Sequence, residues 1–325
     1  MRTSLVRRFG ALGFWVLGLA ACGAPQSDVR FLSIATGGTG GVYYPYGGAL
    51  ARLYTEQIPG LQVTAEVTGA SVDNLKLMQQ GRADLAFTLA DTLVEAAAGT
   101  GPFAEAGPVA VHAIAALYTN YTHLVTRAGN GIGAVADLRG RTVATGAPGS
   151  GTELIADRVL TAAGLDPRSD IVRHALGASE AAGALKDGKV DALFWSGGLP
   201  TPAIQDLAAT PGMTLVFVPQ ASEAPGLQQR WGAALYRVLP LPADSYRGQT
   251  ADVPVIGVEN LLVVSAALDP ALVESLTRVL FESQSALIAA HPEARHLAVP
   301  AGPDVLPVPL HEGARKYFSS RDWRE

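Results

Sequence analysis

At 325 residues the chain is too long for one small core and too short for three ordinary domains, which leaves two lobes with a cleft between them. With 48% hydrophobic and 16% charged residues it can bury a core, and large-scale disorder is excluded. A formal charge of −5 argues against nucleic acid as a partner, and a single cysteine rules out a disulfide framework and a cysteine metal cluster.

In chain order, residues 1–21 read as an export leader. Arg2, Arg7 and Arg8 form a basic start, and Phe9 to Ala21 is a short apolar run ending in small residues. Leu19-Ala20-Ala21-Cys22 resembles the bacterial lipobox, which implies that the Cys22 thiol receives lipid and becomes the new N-terminus. Cleavage there removes three arginines and no acid, taking the formal charge from −5 to −8. Residues 22–28 are then a tether. From Asp28 onward no apolar run reaches membrane-spanning length, so a soluble body held at a membrane surface is expected.

The body alternates strand-like and helical runs. Strands are predicted at Phe31 to Ala35, Val63 to Val67, Asp84 to Leu89 and Ala113 to Tyr118, with helices at Tyr44 to Gln57, Val72 to Gln80 and Thr92 to Ala98. A second series places strands at His123 to Thr126, Arg141 to Thr145, Ile171 to Leu176, Ala192 to Trp195 and Thr214 to Val218. Its helices fall at Thr152 to Ala163, Ala178 to Asp187 and Pro202 to Ala209. Each βαβ series predicts its own mostly parallel sheet flanked by helices. A further strand, Asn260 to Ser265, precedes one long helix from the N-cap Asp269 to about Ala290, which returns to the first lobe. The Pro-rich stretches Leu239 to Pro242 and Val299 to Pro309 read as loops. The expected division is residues 29–118 plus 257–325 as lobe I and 119–256 as lobe II.

Three Gly-rich or hydroxyl-rich segments leave a strand and enter a helix: Gly37 to Tyr43, Thr68 to Asn74 and Gly146 to Glu153. In an open parallel sheet such turns lie at the carboxyl edge, where backbone amides and helix N-termini favour an anion. Gly38 and Gly40 lack the third glycine of a dinucleotide fingerprint, and no Gly-Lys-Ser/Thr follows to make a phosphate loop. Singly, each is better read as an ordinary capped turn; together, drawn from both lobes, they converge on an anion site. A fourth segment, Trp195-Ser196-Gly197-Gly198, offers an indole for stacking and glycines for close approach, or else a buried core tryptophan before a tight turn. The six histidines lack metal-ligand spacing, and Ser71, Ser150 and Ser196 lack the Gly-x-Ser-x-Gly elbow. An enzyme and a metal cofactor are therefore not expected.

In this order the segments resemble the TAXI family of TRAP-transporter solute receptors. The resemblance rests on Ile34 to Pro45, Thr68 to Leu75, Gly81 to Phe87, Gly146 to Glu153 and Gly198 to Pro202, and runs from about Phe31 to Tyr317. It implies a two-lobed periplasmic binding protein type II fold, with two strands crossing between lobes that close on the solute by hinge motion. It also implies a monomeric, membrane-tethered periplasmic lipoprotein that delivers a small carboxylate or an amino acid, such as glutamate or glutamine, to a TRAP permease. Carried over by position, Gly38, Thr39, Tyr43, Ser71, Asn74, Ser150, Gly151 and Thr152 are contact candidates, with Gly40, Trp195, Gly197 and Gly198 beside them. Leu89 stands where the family commonly has glutamine, and Trp195-Ser196 intervene before the Gly-Leu-Pro motif; both departures make the pocket less polar. The alternatives on the same scaffold are a binding protein of an ATP-driven (ABC) importer, an exported enzyme and a sensor module.

Overall fold

The computed structural model describes residues 29–299 and 307–320. The expected leader, Cys22 and the tether lie outside them, as do residues 300–306 of the Pro-rich stretch. The order of elements is β1 (Arg30–Ala35), α1 (Tyr43–Gln57), β2 (Leu61–Glu66), α2 (Ser71–Gln79), β3 (Leu85–Leu89), α3 (Ala90–Ala98) and β4 (Val111–Arg127). Next come β5 (Thr142–Ala144), α4 (Gly151–Ala162), β6 (Val172–His174), α5 (Ala178–Lys186), β7 (Ala192–Gly197), α6 (Pro202–Ala208) and β8 (Leu215–Phe217). The chain continues through α7 (Ala224–Trp231), β9 (Arg237–Leu241), β10 (Val253–Ser265), α8 (Pro270–Glu282), α9 (Gln284–Ala290) and α10 (Glu312–Ser319).

The protein is a mixed α/β structure with a central sheet flanked by helices. Its strand order is β2-β1-β3-β10-β4-β7-β5-β6, with β8 against β4 and β9 against β10. β1 runs parallel to β2 and β3 in one half, and β5 runs parallel to β6 and β7 in the other. Between them, β4 and β10 are antiparallel to each other; β10 also pairs with β3, and β4 with β7. The two separate sheets expected from the sequence are thus one sheet, because both long strands serve both halves. The predicted pair Ala113 to Tyr118 and His123 to Thr126 is the single strand β4. No glycine or proline interrupts its 17 residues, and the polar Asn120 in its middle is satisfied inside the sheet by Asn260 and Ser196.

Two further expectations differ. Leu239 to Leu241 is part of β9 and not a loop; Pro240 is tolerated there because β9 is an edge strand with β10 as its partner. The single helix expected from Asp269 to Ala290 is two, broken at Ser283, whose hydroxyl accepts a hydrogen bond from Gln57 of α1 at 2.9 Å. The N-cap holds as read: the Asp269 carboxylate accepts from the Leu272 amide. One hydrophobic cluster runs through both halves, joining Leu75, Leu93 and Phe103 to Leu124, Ile155 and Phe194. Smaller clusters sit under α1 and α8 and under α5 and α6.

Candidate functional site

Four turns meet over the carboxyl ends of parallel strands and line one cavity of about 320 Å³. The β1–α1 and β2–α2 turns come from one half; the β5–α4 and β6–α5 turns come from the other. The end of β7, Trp195 to Gly197, closes one side, and Leu89, Tyr118 and Asn120 form the floor toward the shared strands.

Each turn ends in a helix whose first amides have no intrahelical acceptor. Those of Ser71 in α2, Gly151 and Thr152 in α4, and Ala178 and Ser179 in α5 have no hydrogen-bond partner among the described residues, and all five residues line the cavity. Three helix dipoles therefore present positive ends to the same space. Among the described residues no lysine, arginine or histidine lines it, and Glu180 is its one carboxylate. The Glu180 side chain is already committed to the Gly177 amide at 3.0 Å.

The hydroxyls are fixed by their lone pairs. Ser71 Oγ accepts from the Leu89 amide at 3.2 Å, and Thr152 Oγ1 from the Ser196 amide at 3.1 Å. Ser150 Oγ caps α4 by accepting from the Glu153 amide at 3.0 Å. The hydroxyl hydrogens of Ser150 and Thr152 are left to be donated into the cavity, while the Ser71 hydroxyl also contacts the Tyr43 hydroxyl. The Tyr118 hydroxyl is buried and has no hydrogen-bond partner among the described residues.

Aromatic residues shape the remaining wall. The Tyr43 ring packs against Phe87 with centroids 5.1 Å apart, and its hydroxyl donates to Asn260 Oδ1. Burial pushes that hydroxyl's pKa well above the ordinary tyrosine value, with Ser71 opposing the rise. Trp195 is half-buried, and its indole N–H donates to Thr201 Oγ1 at 2.9 Å. The glycine turn of the first half fits between side chains of the second. A Cβ on Gly41 would lie 2.9 Å from Trp195 Cη2, and one on Gly40 would lie 2.2 Å from Ser179 Oγ. Ala70, at the start of α2, holds φ 83° and ψ −146°, a conformation ordinarily left to glycine.

Of the residues singled out in the sequence, Gly38, Thr39, Gly40, Tyr43, Ser71, Ser150, Gly151, Thr152, Trp195 and Gly197 line the cavity. Asn74 and Gly198 do not. Asn74 is fully buried beneath the turn; its amide nitrogen donates to the carbonyls of Thr36 and Phe87 at 2.7 and 2.8 Å, and its oxygen accepts from Thr68. It fastens the β1, β2 and β3 ends together. Gly198 packs instead against Glu293, whose Cγ a Cβ there would approach to 2.5 Å. Sequence reading placed the α5 helix from Ala178 but did not single out its start, Gly177 to Glu180, as part of the site. It has one glycine and no run of hydroxyls; the available signal was Gly177 followed three residues later by Glu180, a capping pattern.

A model of the NMT1-like family matches residues 34–320. A solved protein of Bordetella bronchiseptica RB50 is 18% identical, with a TM-score of 0.54 over 92% of this chain and 91% of its own. A structure described as a periplasmic transporter is 14% identical, with a TM-score of 0.53 over 90% of this chain and 94% of its own. The periplasmic aliphatic sulphonate binding protein SsuA of Escherichia coli is 17% identical, with a TM-score of 0.45 over 90% of this chain and 79% of its own. At these identities the first two likenesses show a shared fold.

Proposed function

Because the chain belongs to the NMT1-like family, we propose that it is an extracytoplasmic solute receptor, which captures a small organic anion in the cleft and hands it to a membrane permease. One observation carries the reading: amides at three helix N-termini, drawn from both halves, converge on a cavity without a basic side chain. Such a site holds an anion by oriented dipoles and hydrogen bonds, and it can be assembled or dispersed by moving one half against the other. Residues 29–118 plus 257–325 and residues 119–256 would be the two moving bodies, with β4 and β10 as the hinge. The reading involves no turnover; the ligand leaves as it arrived. The described residues contain no helix long and apolar enough to cross a membrane, and Cys22 is the proposed lipid anchor on the periplasmic side.

The family match is to NMT1-like proteins and not specifically to the TAXI receptors that the motifs resemble. We therefore place an ATP-driven importer first as the membrane partner. A TRAP permease is the second reading, on the strength of the motif run Ile34 to Pro45, Thr68 to Leu75 and Gly146 to Glu153. Uptake in reconstituted vesicles driven by ATP alone selects the first; uptake driven by an ion gradient alone selects the second.

The receptor reading is tested by thermal shift of the full chain in detergent against carboxylates, sulphonates and amino acids. A ligand at a hundred times its Kd adds about 2.7 kcal/mol of stability. A shift that falls in Thr152→Ala and Ser71→Ala supports the site; consumption of the shifting ligand on incubation overturns the receptor reading in favour of an enzyme.

A further inference from the structure

We infer that the ligand is a monocarboxylic acid with an apolar body and no ammonium group. The inference rests on the receptor reading and adds the chemical class. It follows from which charges the cavity can and cannot meet.

One negative charge is provided for. The amides of Ser71, Gly151, Thr152 and Ala178 and the hydroxyls of Ser150 and Thr152 supply donors. A second negative charge is not provided for, because no lysine, arginine or histidine among the described residues lines the cavity. The nearby arginines are committed elsewhere: Arg158 to Asp91 and Glu95, and Arg173 to Glu153 and Asp157.

An ammonium group is not provided for either. A buried cation needs a carboxylate or a dense set of acceptors. Glu180, the one lining carboxylate, is exposed and holds the Gly177 amide. Asp73, beside the β2–α2 turn, accepts from the Gly69 amide at 2.9 Å, and Asp91 faces Arg158. Asn74, the amide side chain the sequence offered, points its oxygen at Thr68 and spends its donors on backbone carbonyls. The other polar side chains of the wall, Thr39, Thr68, Asn120, Ser179 and Ser196, carry no charge, and its apolar and aromatic part is formed by Val42, Val67, Ala70, Leu89, Ala147 and Trp195.

The test is isothermal titration of the full chain with matched skeletons: 4-methylpentanoate, 4-methyl-2-oxopentanoate and leucine; phenylacetate, phenylpyruvate and phenylalanine; glutarate and glutamate. In at least one series the acid or its 2-oxo form is expected to bind roughly a hundredfold tighter than the amino acid, the size of one buried charge left unpaired. Glutarate and glutamate are expected to bind more weakly than the best monoacid. An amino acid binding as tightly as its deaminated partner, or glutamate or glutarate binding tightest, overturns the inference and leaves the receptor reading standing. No heat from any member, in protein with native near-ultraviolet circular dichroism, overturns both.

Discussion

Arg158 of α4 donates to the Asp91 carboxylate of α3 at 2.7 Å, with both side chains almost wholly buried. The pair joins a helix of the first half to a helix of the second. Tyr236 donates to the same carboxylate at 2.9 Å, Glu95 pairs with the other side of the guanidinium, and Trp231 lies over it at 5.3 Å. Removing Asp91 leaves the buried guanidinium short of one carboxylate, with Glu95 and Tyr236 still beside it. Asp91→Ala is expected to lower stability by about 3–5 kcal/mol, and the double change Asp91→Leu with Arg158→Met by much less. Urea unfolding of the two variants decides it; equal losses would mean that packing, and not charge, dominates the cluster.

Gly41→Ala places a methyl group 2.9 Å from the Trp195 ring. The ring is held by Thr201 and cannot swing freely, so an overpacking cost of about 1–3 kcal/mol is expected. Combining it with Trp195→Ala should cancel most of that cost, giving a coupling energy in a double-mutant cycle. Additive losses would show that the turn and the indole do not touch in solution.

Ala70→Gly should stabilise the protein by about 1 kcal/mol, because the glycine relieves a backbone conformation that costs about 1–3 kcal/mol and gives back part of it in chain entropy. The shift in the urea midpoint measures it. A loss of stability would mean that the Ala70 methyl, which packs near Gly37, is worth more than the strain.

Asn74→Leu should cost about 2–4 kcal/mol, since the carbonyls of Thr36 and Phe87 lose their donor inside the fold. Binding of whichever acid gives the largest thermal shift should fall less than it does in Thr152→Ala. The reverse order would return Asn74 to the ligand.

Two buried groups set opposing pH slopes. Burial pushes the Glu293 carboxyl up to about 7 from 4.5, against the Leu199 amide that donates to it and the nearby Arg295. Its contribution to stability is full below pH 4.5 and is lost as pH rises through 7. Burial lowers His123 to about 4 from 6.5, against its contacts with the Tyr121 and Trp195 carbonyls. That contribution is full above pH 6.5 and is lost as pH falls toward 4. Between pH 4.5 and 6.5 the two slopes, each about 1.4 kcal/mol per pH unit, oppose and nearly cancel. Glu293→Gln removes one and should expose a fall in stability on acidification. Superimposable profiles for the variant and the parent chain would remove Glu293 from the account.

Much of this was written in the sequence. Hydrophobic alternation and helical spacing placed α1, α2, α4 and α5 to within a residue or two, because each has its own apolar face, and α1, α2 and α4 also have a turn rich in glycine or hydroxyls ahead of them. The turns ahead of α1, α2 and α4 supplied eight of the twelve expected cavity residues, and the end of β7 two more, since a parallel strand followed by a helix sends its connection to one edge of the sheet whatever its neighbours do. Other features depended on partners far along the chain. Asn74 belongs to the scaffold because three strand ends meet around it, and Gly198 faces away because Glu293, 95 residues later, occupies that side. Whether β4 is one strand or two was decided by Asn260 and Ser196, which satisfy the polar Asn120 at its centre. Local periodicity fixes which segments form helices and strands; which buried polar groups serve the fold and which are left for a ligand is set by hydrogen-bond partners that only the folded chain brings within 3 Å or so.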